Sequence, residues 1–181
     1  MNNYGGLEKK YSSYNDANIV ILPIPFGKTS TWGRGADKGP AAIIEASKNM
    51  ELYDIETDSE VYKKGIFTAK PIKSNESEKM IKRVYSETKK ILDDQKFPVI
   101  LGGEHSVSNG PIKACAELYP HLSVLHLDAH SDRRDSYEGA KYGHASIIAR
   151  AEEIVENVVS VGIRSLDAAE LKSLKKKKIF F

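Results

Sequence analysis

Asp128, His130 and Asp132 stand at alternate positions directly after the apolar run Val124-Leu125-His126-Leu127. A strand places side chains i, i+2 and i+4 on one side, so three metal-type ligands are expected to converge just past a strand end. Carboxylates and imidazoles suit Mn, Fe, Zn or Co, and the lack of paired cysteines argues against a structural zinc site. A second junction of the same form lies upstream, where Phe97-Pro98-Val99-Ile100-Leu101 runs into Gly102-Gly103-Glu104-His105. Its glycines permit a tight turn that aims the next residues across the strand ends. Two parallel strand ends bearing His and Asp predict a binuclear metal site, with the rest of the chain as its scaffold.

Three further groups surround these motifs. Glu104 has three roles open to it, as ligand, as partner of a ligand or as a helix cap, and the sequence does not choose among them. His126 lies inside the strand, where core packing is its expected role. His144 ends a polar loop and is free to approach the metals from outside, which suits a proton shuttle. His121, beside Pro120 in a connection, reads as a surface residue.

The composition bounds the rest. At 181 residues and 40% hydrophobic, the chain suffices for one packed α/β domain. A net charge of +2 gives no strong pull toward nucleic acid or anionic membrane. The single Cys115 excludes an intrachain disulfide framework, fits a reducing compartment and is expected to be a structural thiol in a helix. No apolar run approaches the roughly 18 residues of a membrane span, and the N-terminus lacks a signal-type apolar core. A cytoplasmic protein is expected. Pro25 to Gly39 is glycine-rich but has no Gly-Lys-Ser/Thr ending and no dinucleotide spacing, so it is either a plain connection or a substrate-side loop.

The scaffold reads as alternating strands and helices. Residues 1–17 are polar and read as a loose lead-in. Asn18–Pro23, Phe97–Leu101, Leu122–Leu127 and Asn157–Ile163 are strand runs, with a short strand within Val61–Thr68. Pro40 suits a first helical position, and Ile43, Ile44, Ser47 and Met50 mark that helix's face. The clearest helix runs from about Asn75 to Asp94, with Asn75 and Glu78 as a capping box and Met80, Ile81, Val84, Ile91 and Leu92 in its apolar stripe. Ser106–Tyr119 and Ala145 to about Ile154 are helical, and Asp167 with Glu170 opens a last helix through Leu171 and Leu174. The basic run Lys175–Lys178 is placed at that helix's C-terminus, where cations favour the dipole. Ile179-Phe180-Phe181 reads as the start of another parallel strand. The pattern is α/β with a mostly parallel sheet.

These residues carry a resemblance. Gly102-Gly103-Glu104-His105-Ser106, Asp128-Ala129-His130-Ser131-Asp132 and His144 resemble the first two metal motifs and the active-site histidine of the ureohydrolases, the arginase–agmatinase family. Pro23-Ile24-Pro25-Phe26 and Gly35–Ile43 are similar to the matching N-terminal segment. The resemblance implies a three-layer αβα fold, a single ureohydrolase domain over 1–181, and two Mn2+ ions. Asp128 would bridge them, His105 and Asp132 would bind one ion and His130 the other, with His144 relaying a proton. Tyr137 to His144 is similar to agmatinases and differs from the Ser/Gly/Asn-rich run of arginases, which favours agmatine, cleaved to urea and putrescine in polyamine biosynthesis. Asp135 and Glu138 are then candidates to attract its distal ammonium. Guanidinobutyrase, formimidoylglutamase and arginase are the near alternatives, and a non-catalytic metal-binding or subunit-interaction fragment is the distant one. The resemblance also implies a trimer or hexamer for the complete enzyme. The family's third motif, Ser-x-Asp-x-Asp-x-x-Asp-Pro on a later strand, has no counterpart in this sequence. The expectation is therefore a domain truncated at its C-terminal side, with very low activity.

Overall fold

The computed structural model describes residues 3–171 and 178–180. Among the described residues, six strands alternate with helices: β1 Ile19–Ile24, β2 Ile66–Thr68, β3 Phe97–Gly102, β4 Ser123–Leu127, β5 Asn157–Val161 and β6 Lys178–Phe180. The α-helices are α1 Lys9–Ser12, α2 Gly39–Ala46, α3 Ser77–Asp93, α4 Asn109–Leu118 and α5 Ile147–Glu152. Every strand ladder is parallel, but the ladders form two sheets, β2-β1-β3 and β4-β5-β6. No ladder joins β3 to β4 among the described residues. On β4, Leu125 and Leu127 are 65% and 70% exposed, whereas Val20, Leu22 and Ile24 of β1 are buried. An apolar strand in a parallel sheet is normally covered; among the described residues β4 pairs only with β5 and its Leu125 and Leu127 lie bare.

The core follows the strand and helix periods. Val20, Leu22 and Ile24 point to one face of β1 and pack with Met80, Val84 and Ile91 of α3. Ile21 therefore faces the other way, toward the side where α2 lies against β1 and β3. This gives the expected helix–sheet–helix layering. A second cluster joins Ile147, Ile148 and Ala151 of α5 to Val158 of β5, with Val124 of β4 against it. Burial of Cys115 in α4 pushes its thiol pKa up, as a structural thiol requires. No helix among the described residues is long and apolar enough to cross a membrane.

Several local expectations need correction. Residues 3–17 are not a loose lead-in: Leu7 and Ala17 are buried, and the backbone N–H groups of Tyr4 and Gly5 donate to Thr68 Oγ1 and Ser47 Oγ. The Asn75–Glu78 capping box does not form, because Glu76 holds the N-cap position and Ser74 bonds its backbone instead. Helix α2 starts at Gly39 with Pro40 in its first turn, but it buries Pro40 and Ile44 and leaves Ile43 exposed. Lys178 belongs to β6 and not to a helix end, while Leu174 and Lys175–Lys177 lie outside the described residues. Asp167 and Glu170 do form a capping box.

Candidate metal centre

The first ligand-bearing junction is set by steric closeness. A Cβ on Gly103 would lie 2.2 Å from the Phe26 carbonyl oxygen, and one on Gly102 would lie 2.4 Å from Val107 Cγ2. Only glycine lets β3 pass so near the loop after β1. Glu104 then caps the 3-10 turn His105–Ser108, accepting from the Ser106 N–H at 2.7 Å. Its Oε1 also accepts from Thr29 Oγ1 at 2.8 Å, and Thr29 Oγ1 accepts from the His144 N–H at 3.1 Å. Glu104 is thus a cap and a tie to the Pro25–Gly39 loop, and it is absent from the candidate ligand cluster.

The second junction begins where β4 ends at Leu127. Asp128 Oδ1 accepts from the His130 N–H at 2.7 Å. Asp132 adopts a left-handed backbone (φ 49), and its carbonyl accepts from Ile148 and Ala149 in the first turn of α5. Asp tolerates that conformation better than most residues. Buried Glu170 secures the loop by accepting from Ser131 Oγ and from the Arg133 N–H, the latter at 2.9 Å.

These junctions bring His105, His126, Asp128 and Asp132 together, with one ligand atom from each within 4.8 Å of the others. His105 Nδ1 lies 2.8 Å from Asp132 Oδ2 and 3.6 Å from Asp128 Oδ2. His126 Nε2 lies 3.7 Å from that same Asp128 oxygen. His130 stands apart. Its side chain is 64% exposed, and its Nδ1 is 3.3 Å from the opposite oxygen, Asp128 Oδ1. The expected convergence of positions 128, 130 and 132 on one point is therefore modified, because β4 ends at Leu127 and the two-residue alternation is lost beyond Asp128. Asp128 instead presents one oxygen to His105 and His126 and the other to His130.

The electrostatics fit a cation. Burial pushes the Asp128 carboxyl up, but the His130 N–H and the charges of His105, His126 and His130 outweigh it and hold the group below the ordinary carboxylate value. Burial, reinforced by His105, pushes His126 down against the pull of Asp128 and Asp132. The Asp128 and Asp132 carboxylates and the His105 imidazole make a donor set suited to one divalent ion, with the buried His126 Nε2, which has no hydrogen-bond partner, beside them. His130 and the outer oxygen of Asp128 offer two donors for a second.

His144 opens the 3-10 turn His144–Ser146, which packs against the His105–Ser108 turn. Its Nε2 is 3.1 Å from Thr31 Oγ1, and its ring meets Tyr137 edge-on at 5.8 Å. Glu138 and Gly139 (φ 48 and 77) form the tip of a tight turn closed by Tyr137 and Ala140, which leaves Glu138 exposed. Asp135 is drawn aside by buried Arg150, whose Nη2 donates to it at 2.6 Å and holds its pKa down.

A model of the arginase family matches residues 17–181. The chain belongs to the arginase family. It is 37% identical to an agmatinase of Bacillus cereus over 87% of this chain and 56% of that protein. It is 31% identical to an N(1)-aminopropylagmatine ureohydrolase of Synechocystis over 93% of this chain and 58% of that protein. The agmatine ureohydrolase of Thermoplasma volcanium superposes with a TM-score of 0.89 at 31% identity, over 99% of this chain and 61% of the other. The chain thus spans little more than half the length of the curated relatives it matches. The arginase-family resemblance read from the metal motifs and the αβα expectation both agree with these matches. What motif reading missed was the site-facing role of His126 and the clamp formed by Glu170. The first was signalled by its i−2 spacing from Asp128, and the second was hidden behind a correctly read helix cap.

Proposed function

We propose that this chain carries most of the metal centre of a ureohydrolase that cleaves the guanidino group of agmatine or a close N-substituted agmatine, giving urea and a diamine. The single observation that carries this reading is the cluster of His105, Asp128 and Asp132 at two parallel strand ends, with His130 on the second oxygen of Asp128. His105, Asp128 and Asp132 would hold one cation, and His130 with Asp128 would hold the other. Manganese is the ion the family resemblance implies, and oxygen and imidazole donors suit it. When bound, the ions supply Lewis-acid activation of water at neutral pH.

The chain's own residues do the rest. Glu104, through Thr29, fixes the backbone of His144, whose ring relays a proton at the mouth of the site. Glu138, exposed at its turn, attracts the distal ammonium of the substrate, while Asp135 anchors the loop through Arg150. The family's third motif, which has no counterpart in residues 1–181, would supply the further carboxylates. With only two donors for the second ion, the 181-residue chain turns over slowly. Polyamine synthesis in the cytoplasm is the setting this chemistry fits.

The test is urea release by the Mn2+-loaded chain from a panel of agmatine, N(1)-aminopropylagmatine, guanidinobutyrate, formiminoglutamate and arginine. The expected result is a low rate, highest for the two agmatines. Fastest turnover of arginine would overturn the substrate reading. Cation uptake with no urea from any substrate would favour the binding-only alternative.

A further inference from the structure

His126 is only 4% exposed, and its two ring nitrogens meet different surroundings. Nδ1 lies 3.0 Å from Ser160 Oγ, its register partner across the β4–β5 ladder. Nε2 is buried without a hydrogen-bond partner, 3.7 Å from Asp128 Oδ2. The surroundings of Ser160 bear on which nitrogen carries the proton. Its hydroxyl accepts from Arg133 Nη2 at 3.0 Å, and a guanidinium only donates. Arg133 is itself buried and held by Glu152 at 3.0 Å and by the Ser131 carbonyl at 3.2 Å, so it cannot turn away. With Arg133 donating to its oxygen, Ser160 has its one hydroxyl proton to give, and His126 Nδ1 at 3.0 Å is placed to accept it. A neutral ring that accepts at Nδ1 carries its hydrogen on Nε2, facing the carboxylate.

We propose that His126 is a positioning residue: its Nε2–H, set by the Arg133–Ser160 relay, is directed at Asp128 Oδ2 and fixes how that carboxylate meets its cation. The inference rests on the metal reading above. The 3.7 Å separation is longer than a hydrogen bond of roughly 3.0 Å. The competing arrangement is His126 as a direct ligand, with its hydrogen on Nδ1.

The test is 15N NMR of the histidine-labelled 181-residue chain, with and without Zn2+, a diamagnetic probe. His126 is expected to show a protonated Nε2 and an unprotonated Nδ1 in both states. A proton on Nδ1, or an Nε2 that becomes metal-bound with Zn2+, would overturn the proposal. A second arm titrates Zn2+ into variants checked for folding by circular dichroism. Loss of a group that orients a ligand costs about 10–100-fold in metal affinity, so His126→Phe should lose that much. His126→Gln keeps an N–H donor and should recover most of it; a Gln variant as weak as Phe counts against the donor role. Absence of Zn2+ binding by the unsubstituted chain would sink the metal reading and this role with it. A wrong tautomer in a chain that does bind Zn2+ would sink this proposal alone.

Discussion

The two junctions that carry the ligands are held by opposite means. After β3, the chain is placed by the absence of side chains: Gly102 and Gly103 let the backbone press against Val107 and Phe26. After β4, it is placed by buried polar groups: Glu170 accepts from Ser131 and Arg133, and the loop's own Arg133 donates back to the Ser131 carbonyl and across to Ser160 of β5. Steric placement is insensitive to charge but intolerant of one added methyl. Polar placement tolerates changes of shape but fails when a buried partner is lost.

The largest expected effect breaks the polar junction. Arg133→Met leaves buried Ser160 without its donor and removes the cation beside Glu152, and should cost about 3–5 kcal/mol by denaturant unfolding. A loss under about 1 kcal/mol would show that the loop is not held this way. Next is the steric junction. Gly103→Ala sets a methyl against the Phe26 carbonyl and should cost about 3 kcal/mol. It should also speed alkylation of Cys115, whose thiol burial otherwise keeps poorly reactive. Unchanged labelling together with unchanged stability would refute the close-packing argument.

Two smaller effects sharpen the contrast. Mn2+ at about 100 times its dissociation constant should stabilise the chain by about 2.7 kcal/mol. Asp128→Asn should abolish that gain while leaving metal-free stability nearly unchanged, since both junctions lean on this carboxylate for the ion more than for the fold. A persistent gain in the variant would move the site elsewhere. Smallest is Glu104→Gln, which weakens three accepted hydrogen bonds and should cost about 1 kcal/mol. Its effect on turnover should exceed its effect on stability if Glu104 works through Thr29 on His144, and equal effects would argue against that link.

Much of the candidate site was legible because side chains of metal-binding type stand together at strand ends. His105, Asp128 and Asp132 were identified from residue type and spacing, and the structure brings them together. His126 was read as core for the good reason that it lies inside a strand and is buried. Its second role depends on the β4–β5 register, which puts Ser160 opposite it, and on Arg133 reaching that serine. No local pattern reports such a pairing. Glu170 shows the same limit: its cap was visible from Asp167, but its reach to Ser131 crosses 39 positions of chain.

By itself, the sequence determined the alternation of parallel strands and helices, the two glycines that demand a close approach, and the ligand types at each strand end. These are local properties of backbone period and side-chain chemistry. Only the tertiary structure decided which imidazole faces which oxygen of Asp128. The two-residue alternation holds from His126 to Asp128 while the chain is leaving β4. It fails beyond, where Asp132 turns left-handed and His130 swings outward. That turn is set by α5 and Glu170 gripping the loop, and those partners meet it only when the chain is folded.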